Sequence, residues 1–529
     1  MKSADSLSDP AAAPAAPERM PSQDDAKNRF ALNVGTNIAY VAASTLLMVW
    51  YIPFLVKHLG MAAYGMIPLA NSLVMYASVL SSSLEVSTNR FLAIDLNQGN
   101  NDNANRTFNT SLMLSLVACI LLLVPAGVIT YLYPVLFSVP AGMENETRLL
   151  FAGAVLTMLL SIVGSNFGVS SVIKHRFDLY NIVRTLVILL RIGIVAVAFA
   201  LWSSSLWWVA IGFIVSACLN LVGNVLLWRR LTPELRIDPR SIDRTRSRAL
   251  IDLGGWASLN QIGALLLMQI DLLVVNAFYG ADMTGRYGSV LIFTTLILTM
   301  TTTVVGVLSP AIMARFAVND IDGLTRIAVR SVKLLGIGLA IPVGLLCGFG
   351  RPLLTLWLGP DFADLDILLV ILVGHLNINL AVRPLLYVLT AFNRVKVQAL
   401  LTVLIGVVNL GLAIALARWA GWGAAGIAAA GALAWTFKNV FLLSTYSASV
   451  MNLKWWTFYV PLIAGAIGTL GLALAGRLIT QLWWPATWFE LGLYASALTL
   501  VYCAVSYIFS LDHSDRALIW SLARRRNHG

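Results

Sequence analysis

The chain has 529 residues, 58% of them hydrophobic and 12% charged, with a mean hydropathy of +0.80. Soluble globular domains carry about a quarter charged residues, so this composition excludes that class and points to a membrane protein. The net charge of +11 is no sign of nucleic-acid binding, because the basic residues sit in short connections between apolar runs, the distribution that orients a membrane protein.

In chain order, residues 1–28 are rich in Ala, Pro, Ser and Asp and have no basic stretch leading into an apolar core. They read as a disordered tail and not as a signal peptide. Apolar runs of about 20 residues then recur to the end, each long enough to cross a hydrocarbon core of roughly 30 Å. Only helices satisfy their own backbone in such a segment of lipid-exposed chain. The pattern predicts an all-α polytopic membrane protein with about 14 transmembrane helices. They fall near 30–56, 64–84, 110–137, 149–173, 183–202, 206–228, 255–279, 286–314, 331–350, 366–391, 396–417, 422–446, 455–476 and 488–510. Tryptophans mark many of the ends (Trp50, Trp202, Trp207, Trp208, Trp357, Trp419, Trp455, Trp456, Trp483, Trp484), in keeping with the preference of indole for the headgroup level.

An even number of crossings puts both termini on one side. With the termini in the cytoplasm, the opposite side receives only Lys57, Arg148, Arg286, Arg351, Arg418 and Arg477 of the 36 Lys and Arg, and all but three of the rest fall in cytoplasmic segments. That skew predicts the orientation. The four cysteines, Cys119, Cys218, Cys347 and Cys503, lie in apolar runs and read as small core residues; neither a disulfide framework, a metal site nor a cofactor is expected.

Two halves repeat. Gly60-Met-Ala-Ala-Tyr-Gly65 follows the first helix and Gly280-Ala-Asp-Met-Thr-Gly285 the seventh. Phe177-Asp178 and Phe392-Asn393 close the turns before helices five and eleven, and Asn224-Val-Leu-Leu and Asn439-Val-Phe-Leu end helices six and twelve. Six crossings separate matching positions, so the halves share one orientation, a parallel repeat of the kind found in transporters. The expected organisation is a cytoplasmic tail (1–28), an N-lobe of six helices (29–230), a basic linker (231–249), a C-lobe of six helices (250–446), two C-terminal helices (447–510) and a basic cytoplasmic tail (511–529). The long connection 229–249 reads as a solvated loop near anionic lipid.

A charge inside a spanning helix costs about 2.5–3.5 kcal/mol on insertion scales, so each such charge calls for a reason. Arg191, Arg383 and Lys438 each stand about eight residues from the cytoplasmic end of their predicted helix, roughly 12 Å deep. A belt of three cations suits an anionic cargo; alternatively each snorkels or neutralises a helix C-terminus. Asp271, on the face of Asn260, could hold a coupling proton or sodium ion or pair with a cation. His375 is a second proton candidate, since imidazole switches near neutral pH, and it forms a four-residue stripe with Asn379 and Arg383. Helix one carries Arg29, Asn33, Asn37, Tyr40 and Ser44 along one face, and helix two Asn71, Ser78, Ser82 and Glu85; these stripes line a cavity or glue helices together. Pro53, Pro68, Pro125, Pro310, Pro342, Pro384 and Pro461 interrupt helices and can kink them. The chain contains no P-loop or metal-ligand motif and no long loop with convergent acids or histidines, which speaks against an enzyme or an ATP-driven pump.

These features resemble the polysaccharide transporter branch (Wzx-type O-antigen and exopolysaccharide flippases) of the multidrug/oligosaccharidyl-lipid/polysaccharide exporter superfamily. The resemblance is carried by Leu59-Gly60…Tyr64-Gly65, Gln269-Ile-Asp271 leading to Gly280…Gly285-Arg-Tyr287, and Thr390-Ala-Phe-Asn-Arg-Val-Lys396 followed by Val408-Asn409-Leu410. It covers about residues 30–450. It implies a multi-pass protein of the bacterial inner membrane that turns an oligosaccharide on undecaprenyl diphosphate from the inner to the outer leaflet by alternating access, driven by an ion gradient. It further implies Arg191, Arg383 and Lys438 as diphosphate-binding residues, the polysaccharide polymerase machinery and membrane lipids as neighbours, and helices thirteen and fourteen as a groove for the lipid tail. Competing readings are a drug or organic-cation antiporter of the same superfamily, which would suit acid-rich cavities, a membrane glycan polymerase or ligase, which would carry a long periplasmic catalytic loop, and a structural membrane protein.

Overall fold

A computed structural model describes residues 23–512 and 515–516. The expected tails 1–28 and 511–529 therefore lie mostly outside the described residues. In chain order the helices are α1 (Gln23–Leu59), α2 (Met61–Asn97), α3 (Asn101–Leu136), α4 (Glu144–Ile173), α5 (Phe177–Leu201), α6 (Leu206–Leu231), α7 (Arg244–Met268), α8 (Ile270–Ala317), α9 (Ile321–Gly348), α10 (Gly350–Leu358), α11 (Asp366–Gly374), α12 (Leu376–Ala381), α13 (Leu385–Ala391), α14 (Val395–Ile414), α15 (Gly423–Thr436), α16 (Ser444–Val450), α17 (Val460–Leu482) and α18 (Trp488–Phe509). Among the described residues there is no strand.

Among the described residues, twelve stretches are long and apolar enough to cross a membrane. One of them, Gln261–Ala317, holds two crossings, because Gly280 at φ 78° breaks it. A further crossing is α2, whose Asn71, Glu85, Arg90 and Asp95 dilute its apolar character. Counted this way the crossings are the fourteen expected. Several helices overrun the predicted limits: α1 begins at Gln23, α2 runs on to Asn97, α3 begins at Asn101 and α5 at Phe177. Hydropathy marks where lipid ends, whereas helical hydrogen bonds continue into polar sequence beyond it.

The repeat is visible in the backbone. Gly60 and Gly280 take nearly the same positive φ, 79° and 78°. At the opposite end of the bundle, which carries α1's start and α18's end and is here called the tail side, helices close on paired left-handed residues: Gly99 and Asn319, then His175 and Asn393. Each is followed by an amide that reaches back five residues, as Arg176 N–H to the Ser171 carbonyl at 2.8 Å and Arg394 N–H to Leu389 at 2.8 Å. Such caps satisfy carbonyls that the helix end would otherwise leave open.

On the far side the two halves share one hydrophobic core, which runs from Leu55, Tyr64 and Met66 through Tyr133 and Phe151 to Tyr287, Leu369 and Ile427. On the tail side the cores are separate: Phe108, Phe167 and Trp228 in the first half, and Leu324, Leu385 and Phe458 in the second. The halves are thus joined at the far side. The join rests on glycine: a Cβ on Gly65 would lie 2.6 Å from both the Ala281 carbonyl and the Gly285 nitrogen, and a Cβ on Gly285 would strike the Met61 carbonyl. Asn276 ties the same seam, accepting from Ser138 N–H at 2.9 Å and donating to the Ser138 carbonyl at 3.2 Å. Trp357, read as an interfacial marker, is instead buried here and donates to the Val49 carbonyl at 2.7 Å.

The basic linker is not a freely solvated loop. Asn105 and Asn109, one turn apart on α3, hold its backbone by a ladder: Asn105 donates to the Glu234 carbonyl and accepts from Arg236 N–H, and Asn109 donates to the Arg236 carbonyl and accepts from Asp238 N–H. Backbone groups paired in this way no longer need water. Asp243 then caps α7, and the Thr245 and Arg246 amides hold its carboxyl below the usual carboxylate range. Arg246 reaches Asp95 of α2 at 3.2 Å, which fixes the tail-side end of α7 to the first half.

The last two crossings dock on α9. Gly336, Ala340, Gly344 and Gly348 form a four-residue stripe of small side chains, against which Gly465, Thr469 and Gly476 of α17 approach to backbone contact. Small residues permit such approach in lipid.

Two outcomes follow. Gly285→Ala overpacks the seam and should cost about 1–3 kcal/mol, seen as a lower thermal midpoint in detergent, whereas Gly127→Ala, which meets open space, should leave it unchanged. The double change Asn105→Ala/Asn109→Ala should free the linker and speed tryptic cleavage at Arg236 and Arg240 by about ten-fold, as expected when a local opening loses several hydrogen bonds.

Candidate functional site

The chain between α7 and α8 is interrupted at Gln269, and the interruption presents Asp271 to the interior. The three-turn register expected between Asn260 and Asp271 therefore does not run through one continuous helix, and the side chains of Asn260, Arg29 and Ser78 lie outside the described residues. Asp271 is buried; its Oδ2 accepts from the Tyr287 hydroxyl at 2.8 Å, and the Asn409 side chain also reaches its carboxylate. Gly431 on α15 leaves the space beside it, since a Cβ there would stand 3.4 Å from Oδ2.

Asp271 and His375, 104 positions apart in sequence, line one cavity of about 50 Å³ with Gln269, Thr294, Thr295 and Trp435. His375 sits at the junction of α11 and α12. Its Nδ1 is 2.9 Å from Asn379 Nδ2, which also donates to Thr436 Oγ1 at 3.0 Å, and its ring meets Trp435 edge-on at 6.0 Å. Asn409, singled out above only within the family resemblance, reaches Asp271 and places its amide 3.5 Å from the Leu266 carbonyl at the broken end of α7, with its Oδ1 unpartnered among the described residues. A buried acid, an imidazole and unpartnered amide oxygens beside a broken helix make a site able to hold a proton or a small cation.

The stripe His375–Asn379–Arg383 is interrupted. After α12 the backbone passes through three-residue hydrogen bonds at Arg383 and Leu385 before α13 begins, because Pro384 lacks the amide a regular helix requires. Arg383 turns instead to α8, where it donates to Thr302 Oγ1 at 2.8 Å. Lys438 lies in a π-helical segment, Phe437–Leu443, between α15 and α16, beside Gln398 and Tyr446 and within electrostatic range of Arg383. Such a segment adds a residue to a helical turn and commonly marks functional positions. Arg383 and Lys438 are thus brought together.

Arg191 belongs to the other half, with its guanidinium 5.3 Å from the Phe213 ring centre. The common depth expected for the three cations does not hold. Because α5 starts at Phe177, Arg191 is 14 residues, about 21 Å, from its tail-side end, whereas Arg383 is eight residues, about 12 Å, from Ala391. The late predicted start of helix five also hid Arg184, which faces Tyr40 at 4.3 Å and Tyr180 at 5.5 Å. Of the helix-one stripe, Asn33 latches α1 to the start of α5, donating to the His175 carbonyl at 2.9 Å and accepting from Asp178 N–H at 3.1 Å. Asn37 and Asn71 are exposed.

An apolar groove of about 830 Å³ opens between α8 and α9, with Met300, Val304, Leu308, Leu334, Gly338 and Ile341 among its walls. Arg330 stands at its tail-side end, paired with Asp515 at 2.7 Å, next to Lys333, which holds Asp512 at 2.8 Å. This groove is walled by α8 and α9, while α17 covers another face of α9.

A bundle of this kind, with two repeated halves, broken helices around buried charge and a lateral apolar groove, defines a polytopic helical membrane protein. A sequence family described as polysaccharide biosynthesis protein matches residues 54–365. An uncharacterized membrane protein of Bacillus subtilis (strain 168), EpsK, is 30% identical over 508 residues, 94% of this chain and 98% of that protein. A Shigella flexneri protein provisionally named an O-antigen transporter is 22% identical over 359 residues, 66% of this chain and 82% of that protein. Among solved structures, the lipid II flippase MurJ in an inward closed conformation superposes with a TM-score of 0.60 at 13% identity, covering 91% of this chain and all of that one. An inward-facing multidrug resistance transporter of the MATE family in the MOP superfamily gives a TM-score of 0.60 at 15% identity, covering 86% and 95%. The chain belongs to the polysaccharide biosynthesis protein family, as the resemblance read from its residues implied.

Tyr287→Phe removes the donor to buried Asp271 and should destabilise the protein by about 1–3 kcal/mol in thermal unfolding. Tyr133→Phe, which deletes a buried hydroxyl that has no partner among the described residues, should be neutral or slightly stabilising.

Proposed function

We propose that this protein is a flippase of the bacterial inner membrane that carries an oligosaccharide linked to a polyprenyl diphosphate from the cytoplasmic to the outer leaflet. The observation that carries this reading is the presence, in the second half, of two neighbouring intramembrane cations, Arg383 and Lys438, and of an apolar groove walled in part by α8, the helix whose Thr302 accepts from Arg383. A diphosphate headgroup suits the cations, arginine gripping oxygens in bidentate fashion and lysine acting as a point charge. A polyprenyl tail suits the groove. The tail side is the cytoplasmic side, where the Lys and Arg concentrate. The family match and the lipid-linked cargo named for one structural relative support the same class of substrate.

The halves share a core on the far side and keep separate cores on the tail side, an arrangement suited to receiving cargo from the cytoplasm. Rocking about the glycine seam then exposes it outward. The Asp271–His375 cavity is the coupling site, taking a proton or a sodium ion. It lies beside the interruption at Gln269, between the Arg246–Asp95 tie of α7 to α2 at one end and the contact of α8 with α2 at the glycine seam at the other. An ion bound there neutralises the acid beside the break in the helix.

Depletion in the native cell should accumulate a complete diphosphate-linked repeat unit facing the cytoplasm and abolish the surface polymer. Complementation with Arg383→Ala/Lys438→Ala should fail at normal protein level, with translocation down by at least about a hundred-fold if two charge-assisted contacts are lost. Normal translocation on depletion would point to a small-molecule antiporter, and units that cross but stay unpolymerised would point to an enzyme.

A further inference from the structure

The first half contains a run of alternating cations and aromatic rings that none of the roles above uses in full. Arg184 and Arg191 are seven residues apart on α5, two turns, so they share one face about 10 Å apart along the axis. The opposite face shows Ile182, Leu186 and Leu189 to the surroundings. Tyr180 lies one turn below Arg184 on α5, and Tyr40 and Tyr51 stand three turns apart on the adjoining face of α1. Arg184 holds its guanidinium 4.3 Å from the Tyr40 ring centre and 5.5 Å from that of Tyr180. Arg191 is within electrostatic range of the same Tyr40 and of Tyr51. The order up the wall is Tyr180, Arg184, Tyr40, Arg191, Tyr51.

A guanidinium stacked on a ring is held in place by its flat face and keeps its N–H edge free for phosphate oxygens. Arg184 is exposed and stands seven residues from the start of α5, close to the eight that separate Arg383 from the end of α13. The two cations therefore lie at matching depth on opposite halves. Glu85 of α2 is within electrostatic range of Arg184 and Tyr180, which puts this rung beside α2, the first-half helix that also packs on α7 and α8. A nearby acid competes for the guanidinium and keeps an anion from being trapped there.

We propose that Arg184 and Arg191, spaced by Tyr40, form a two-step ladder for the diphosphate headgroup. Arg184 captures it at the cytoplasmic level opposite Arg383, and Arg191 receives it deeper as the halves rock. The inference rests on the flippase reading and adds to it a first-half residue for capture and a separate one for transit.

The test uses the full-length protein in proteoliposomes, with farnesyl diphosphate as binding probe, farnesol as its uncharged control, and a fluorescent polyprenyl diphosphate disaccharide as transport probe. Arg184→Ala should weaken farnesyl diphosphate binding by about ten-fold or more, the loss of one charge-assisted contact, with farnesol binding unchanged. Arg184→Lys should recover most of it. Arg191→Ala should bind the diphosphate within about two-fold of wild type yet transport about ten-fold more slowly, having lost a contact made only in transit. Wild-type affinity in Arg184→Ala, or equal loss of binding in both alanine variants, overturns the ladder while leaving the flippase reading intact. Failure of the wild-type protein to bind or move the diphosphate overturns both. Should Arg184→Ala not yield monodisperse protein, Tyr40→Leu removes the stacking face and should weaken binding by about three-fold, a typical cation–π contribution; an unchanged affinity there also overturns the ladder.

Discussion

The arrangement depends on one close contact, the meeting of Met61–Gly65 with Ala281–Gly285 at the far side. In lipid there is no hydrophobic drive to bring helices together, so contact must come from surfaces able to approach closely. Glycine at 65 and 285 lets two backbones touch, and Gly60 and Gly280 supply the left-handed turns that aim the helices there. The elements in contact are the repeated motif itself, meeting its own copy. That self-meeting is how two parallel repeats make a joint around a pseudo-twofold axis, and it accounts for one shared core on the far side and two separate ones on the tail side.

Much of this was legible in the sequence, for reasons that differ by feature. The crossings could be read because hydrocarbon imposes both length and apolarity, and the repeat because the turns at Gly60 and Gly280 demand glycine. Helix ends could not be read, since α1, α2, α3 and α5 continue into polar sequence where hydropathy carries no information. That blind spot had a chemical consequence: a start at 183 made Arg184 look like a boundary residue and made Arg191 look shallow. The meeting of Asp271 with His375 was also beyond reach, because nothing local links two positions on α8 and α11. The linker misled in the opposite direction. Its arginines suggest solvent or lipid, yet its backbone is held by Asn105 and Asn109, whose regular spacing inside a helix gave no sign of a partner.

Charge placement follows from where burial is affordable. Charges near the tail side are met by acids: Arg246 by Asp95, Arg330 by Asp515, Lys333 by Asp512 and Asp515. These contacts fix elements to one another and use their charge in doing so. Arg383 and Lys438 differ, for their surroundings are a threonine hydroxyl, a glutamine, a tyrosine and each other. Two like charges held near one another within the membrane are unfavourable until an anion arrives.

The same reasoning separates the two sides of α9. On one, Gly336, Gly344 and Gly348 admit α17 to backbone contact and leave no room for a ligand. On another, larger side chains on α8 and α9 hold a groove open. A helix packed this tightly on one side cannot shift without carrying its neighbour, so α9 and α17 move together. α17 holds α9 by backbone contact, while the space between α9 and α8 stays open as an apolar groove with Arg330 at its tail-side end.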